Sequence, residues 1–186
     1  MQAMELLLSR NSHPRLVEPA PEGQVMERIY QAALRAPDHA DLRPRRLIEF
    51  RGKSALDVLG EIYAQAKLCE DPGASIEDLT RLRNMTHRAP LVIAVIAKIQ
   101  EHPKVPASEQ LVSAGCVAHG LLLAAEAEGF AAMWRSGSLC FDPQVKQALK
   151  LAETDELLGF IYMGSPVGRR KPLPEHKIAD FVEVWE

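Results

Sequence analysis

Arg10 and Ser12 set a guanidinium and a hydroxyl one residue apart, a pair suited to gripping a phosphate. Asn11 between them can donate from its side-chain amide or its backbone N–H. Taken alone, Arg10 reads more simply as a solvated surface arginine, because most arginines sit exposed. Arg35 and His39 bracket Ala36-Pro37-Asp38 where a helix must stop. A cation there complements the helix macrodipole, and His39 reads equally as a packing or capping group in a loop. Asp38 reads as a carboxylate that orients a neighbour rather than as a general acid. Trp134-Arg135-Ser136-Gly137 reads by itself as a strand end with one core tryptophan, and Gly137 lets another group approach the backbone closely.

Other chemistries find little support. Cys116 and His119 lie three apart on one helical face and could form an activated thiolate, but on so apolar a helix a buried cysteine beside a hydrogen-bonded histidine is the expectation. The six histidines show no metal-ligand spacing. Neither Gly-x-Gly-x-x-Gly nor a Walker A motif occurs. The net charge of −3, with acids and bases interspersed, argues against a nucleic-acid partner. The apolar runs Leu91–Ala97 and Leu121–Ala125 are too short to span a bilayer, and the first eight residues do not make a signal peptide. Three scattered cysteines without a Cys-x-x-Cys pair fit a reducing cytoplasm.

The elements that must position these groups follow from periodicity. Met1–Ser9 is expected to be a short helix running into the polar loop 10–15. Pro21 and Glu22 open a second helix, with Val25, Ile29, Ala32, Ala33 and Ala36 at helical spacing. Leu47–Phe50 is a short strand ended by Gly52, and a helix follows over about Ser54–Lys67. Ser75 and Asp78 have capping-box spacing after the turn Asp71-Pro72-Gly73. Leu91–Ala97, apolar on both faces, reads as a central strand. The apolar helix Ser113–Glu128 should be buried, in part by a second subunit. Phe130–Trp134 is a strand, Asp142-Pro143 starts a helix, and Leu157–Met163 is the last strand. One α+β domain over residues 1–186 follows, a mixed sheet with helices on both faces.

Four segments, taken in order, resemble the nitroreductase family: Glu5–Ser12 with Arg15; Ala32–His39 with Arg43-Pro44; Ser113–Cys116 through Gly129-Phe130 to Trp134–Gly137; and Gly159–Pro166. The resemblance implies a three-layer fold with a mixed, mostly antiparallel sheet. It implies a homodimer holding FMN at the subunit interface, each site built from both chains. Hydride would pass from NADH or NADPH through flavin N5 to a nitroaromatic, a quinone or another flat acceptor, with no protein nucleophile, acid or base. Arg10, Asn11 and Ser12 would cradle the phosphate, helped by Arg169 or Arg170 after Gly164-Ser165-Pro166. Arg35 and His39 would touch the flavin, and the main chain of Trp134, Arg135 and Ser136 would run along its ring. Ala124, Ala125, Glu126, Ala127, Glu128 and Gly129 would meet the nicotinamide nucleotide, although a small-residue helix end packs as readily without a ligand. Two departures stand out. Asn11 replaces a basic residue often found there, and Arg43-Pro44-Arg45 stands where Gln-Pro-Trp is common. The alternative of the same fold is a non-catalytic or flavin-handling FMN-binding dimer.

Overall fold

The computed structural model describes residues 2–186, so Met1 of the expected first helix lies outside the described residues and α1 runs Ala3–Ser9. The sheet grows from the two most apolar segments. β3 (Leu91–Ala97) is buried at every position, as its composition predicts. β5 (Glu156–Pro166) runs antiparallel beside it, with Val92 opposite Tyr162 and Ala94 opposite Phe160. β2 (Arg46–Arg51) pairs with the other side of β3, and β4 (Ala131–Arg135) with the other side of β5. The two-residue β1 (Leu16–Val17) adds to the end of β5. Among the described residues every pairing is antiparallel, so the expected mixed character is absent.

Two-residue alternation splits these strands between two helical layers. Val92, Ala94, Ile96, Phe160 and Tyr162 face α3 (Gly52–Glu70) and α6 (Pro143–Ala148), with α4 (Ile76–Met85) packed at the margin. Leu91, Ile93, Val95, Ile161 and Met163 face α2 (Gly23–Ala33) and α5 (Ala107–Ala127). The result is the three-layer α+β fold.

Local chemistry sets the helix starts. The Ser75 hydroxyl accepts from the Asp78 N–H at 3.0 Å and donates to the Asp78 carboxylate at 2.8 Å. Asp142 accepts from the N–H groups of Gln144 and Val145, with Pro143 at the first helical position. Gly52 does end β2, but it also begins α3, which runs longer than the apolar spacing indicated.

α5 starts six residues before the predicted point, because its first turns are polar and give no periodic signal. Buried Gln110 secures that end by donating to the carbonyls of Gln100 and Val105. α5 has 21 residues, and an 18-residue stretch of it has a mean hydropathy of 1.3, long and apolar enough to cross a membrane, which the short apolar runs did not reveal. Here it is a core helix: Val117, Ala118, Leu121 and Ala125 are fully buried against α2 and the sheet. Cys116 and His119, expected inside, lie on its exposed side with Val112, at i, i+4 and i+7.

Candidate functional site

The loop after α1 crosses the open edge of β4. The His13 N–H donates to the Ala132 carbonyl at 3.3 Å. In an antiparallel ladder successive residues turn their backbone groups to opposite edges. Ala132 therefore points outward, and by the same alternation so do the N–H and C=O of Trp134. The Trp134 indole is directed away, donating to the Leu158 carbonyl at 3.1 Å. Gly137, with φ of +152°, turns the chain just after Ser136. Loop 10–13 and the backbone of 132–136 thus form one strip.

The C-terminal segment closes that strip. The Asn11 amide donates to the Lys171 carbonyl at 2.6 Å, and its Oδ1 accepts from the Ser12 N–H at 2.8 Å. Asn11 was expected to offer its side-chain amide or its backbone N–H to a ligand. Its Oδ1 and one amide N–H are engaged within the protein, which leaves the second amide N–H and the backbone N–H as donors. The same bond brings residues 169–171 beside residues 10–12. Arg170 pairs with Glu126, whose side chain is buried. Arg169 is exposed and pairs with no carboxylate among the described residues, nor do Arg10 and Arg35. Most other arginines do pair with one, including Arg28, Arg43, Arg45, Arg51, Arg81 and Arg83. The Ser9 hydroxyl beside Arg10 is buried without a hydrogen-bond partner.

Arg35 and His39 form a second group. Both are exposed, and His39 Nδ1 lies 2.7 Å from a Glu109 carboxylate oxygen at the start of α5. His39, with Pro37, Val112 and Cys116, borders a shallow cleft of about 430 Å³, and Arg35 lies outside its lining. Among the described residues no hydrogen bond or ion pair joins this group to loop 10–12. Asp38 is an orienting residue, as its position suggested. It accepts from the N–H groups of Leu42 and Arg43 and pairs with Arg45 at 2.7 Å. Arg45, the departure from Gln-Pro-Trp, is consumed by this pair.

The predicted nucleotide segment is mostly interior. Ala124, Ala125 and Glu126 are buried, and Glu128 is held by a two-pronged pair with Arg28 at 2.8 Å. The end of α5 is thus packed against its own chain, leaving Ala127 and Gly129 at the surface and Glu128 partly so.

Sequence reasoning missed His13, which is buried near Arg170 and Glu126 with its Nε2 unpartnered. Residues 13, 126 and 170 are too far apart in the chain for spacing to associate them. Burial, then the Arg170 charge, holds the His13 imidazole below its ordinary range, while Glu126 acts the other way. The folded state thus takes up the proton less readily than the unfolded chain. The stability His13 contributes is complete above about pH 6.5 and declines as pH falls below it. Thermal melts from pH 8 to 5 should show wild type losing more stability on acidification than His13→Gln. Parallel profiles would contradict this.

Comparison with known proteins agrees with the geometry. A model of the nitroreductase family matches residues 8–165. The chain is 41% identical to YdjA of Escherichia coli K12, called an NAD(P)H nitroreductase, over 89% of each protein. The fold matches a nitroreductase-like protein of Bacillus cereus with a TM-score of 0.84 at 17% identity, covering 100% of this chain and 97% of that one. It also matches a nitroreductase of Desulfovibrio desulfuricans solved in complex with FMN, TM-score 0.73 at 19% identity, covering 97% and 95%. The chain belongs to the nitroreductase family, a family of oxidoreductases.

Proposed function

We propose that this chain is a single flavin-binding domain that works as a cytoplasmic homodimer, an FMN-dependent NAD(P)H oxidoreductase. The observation that carries the reading is that Arg10, on the loop that bonds the open edge of β4 through His13, and Arg169, two residues before the Lys171 that Asn11 holds, are both left without carboxylates. A dianionic phosphate fits a cradle of two unpaired guanidiniums, the Ser12 hydroxyl and the unpartnered Ser9 hydroxyl. A ring along residues 134–136 would meet main-chain N–H groups rather than side chains, which suits a cofactor whose own atoms react. When bound, FMN would supply hydride transfer from NADH or NADPH to a nitroaromatic, a quinone or a similar flat acceptor.

Arg35 and His39 lie apart from that strip in one chain, which favours a site completed by a second copy. Apolar surface supports the dimer: Val112 is 67% exposed on α5, Leu8 71% on α1, and Phe181 and Trp185 73% and 88% at the C-terminus. Two exposed, unpaired cysteines, Cys69 and Cys116, suit a reducing compartment.

The purified protein should be a yellow dimer whose flavin colour bleaches anaerobically on adding NADH or NADPH. A colourless protein that stays unreactive with added FMN would refute the reading, and a yellow one reduced by neither nucleotide would favour a non-catalytic binder. Arg10→Ala should weaken FMN binding by about 1.5–3 kcal/mol, the range for a charged hydrogen bond. An unchanged dissociation constant in a fluorescence titration would remove Arg10 from the site.

A further inference from the structure

Alternation sends the Trp134 and Arg135 side chains to opposite faces, and Arg135 enters the α3/α6 layer rather than the flavin strip. It lines a cleft of about 700 Å³ between β5, α3, α4 and the 136–142 loop, a size that accommodates small organic ligands. The wall is aromatic: Tyr63 and Phe160 meet edge to face with centroids 5.3 Å apart, and the Arg135 guanidinium stands 5.3 Å from the centre of the Tyr162 ring. Leu82, Met85 and Phe141 complete it.

Lys67, Arg81 and Arg135 face Glu70, Asp78 and Asp142 across this cleft, and the cation left without a partner is Arg135. Glu70 is matched by Lys67 at 3.1 Å and Asp78 by Arg81 at 2.8 Å, while Asp142 is held by the Gln144 and Val145 N–H groups it caps. Burial pushes the Tyr63 and Tyr162 phenols and the Cys140 thiol up, so all three stay neutral. Arg135 has no carboxylate among the described residues, its Nε is buried without a hydrogen-bond partner, and the nearby Arg88 adds a second positive charge rather than relief. A half-buried guanidinium with a buried, unmet Nε–H donor is costly, and the cost falls when an anion arrives.

We propose that this cleft binds a flat aromatic monoanion, its carboxylate on Arg135 and its ring against Phe160 and Tyr162. One inward unpaired cation matches one negative charge, not a di- or triphosphate. The site uses the Arg135 side chain, whereas the flavin reading uses the backbone of the same segment, so either can stand without the other.

The test is a calorimetric titration of the purified protein, FMN-loaded where it takes up flavin, with 2-naphthoate and its neutral counterpart 2-naphthamide. The acid should bind at least about tenfold tighter than the amide. That preference should vanish in Arg135→Gln and partly return in Arg135→Lys. Phe141→Ala, on the exposed lip, should weaken both probes alike. Equal affinity of wild type for acid and amide would overturn the proposal even if the Arg135 variants failed to fold. So would undiminished acid binding in Arg135→Gln, or release of FMN on saturation with naphthoate, which would put the anion in the flavin site.

Discussion

Gly159→Ala is expected to lower stability by about 3 kcal/mol and to weaken FMN retention along with it. Gly159 sits in β5 at φ +145°, a region side chains rarely adopt. A Cβ there would lie 2.6 Å from the Arg135 carbonyl oxygen and 2.8 Å from Trp134 Cδ1. The backbone oxygen cannot swing aside as a flexible side chain would, so β4 itself has to shift. β4 carries the main-chain edge of Trp134 that faces loop 10–13, and a displacement there separates the two halves of the strip. Denaturant unfolding and a flavin titration on the same preparation read both effects. A variant as stable as wild type would show that β4 gives way easily, and the positional account of Trp134–Ser136 would fail.

Asp38→Ala should cost a comparable amount, about 3 kcal/mol, through a different route. The side chains of Asp38 and Arg45 are only 10% and 14% exposed, so removing the carboxylate strands a charge largely out of water. It also frees two backbone N–H groups, in a loop where Ala40, Asp41 and Arg43 all hold left-handed φ values between 51° and 61°. That loop presents His39. Asp38→Asn keeps an acceptor for the backbone and should recover part of the loss. Denaturation midpoints of the three proteins settle the order, and an Ala variant matching wild type would contradict it.

Much of this was legible in the residues themselves. β3 announced itself because every position is apolar, and α4 and α6 because Ser75 and Asp142 can each cap only at a start. Arg10, Ser12 and the Trp134 segment could be placed at one site only through the ordered family resemblance, since each alone fits a surface or a core. What stayed hidden depends on long-range meetings. The Asn11–Lys171 and Glu126–Arg170 contacts join residues 160 and 44 apart. The polar opening of α5 carries no hydrophobic period, so its first six residues passed for loop. Arg135 was read as backbone alone, because the aromatic cleft that receives its side chain is assembled from α3, α4 and β5 and from no contiguous stretch.

A crystal grown with excess FMN bears most directly on the central claim. The expected density has the phosphate between Arg10, Ser12 and Arg169, the ring against the main chain of residues 134–136, and a second copy of the chain bringing Arg35 and His39 to the same flavin. Flavin bound elsewhere, or that strip filled by side chains in the presence of saturating FMN, would contradict it.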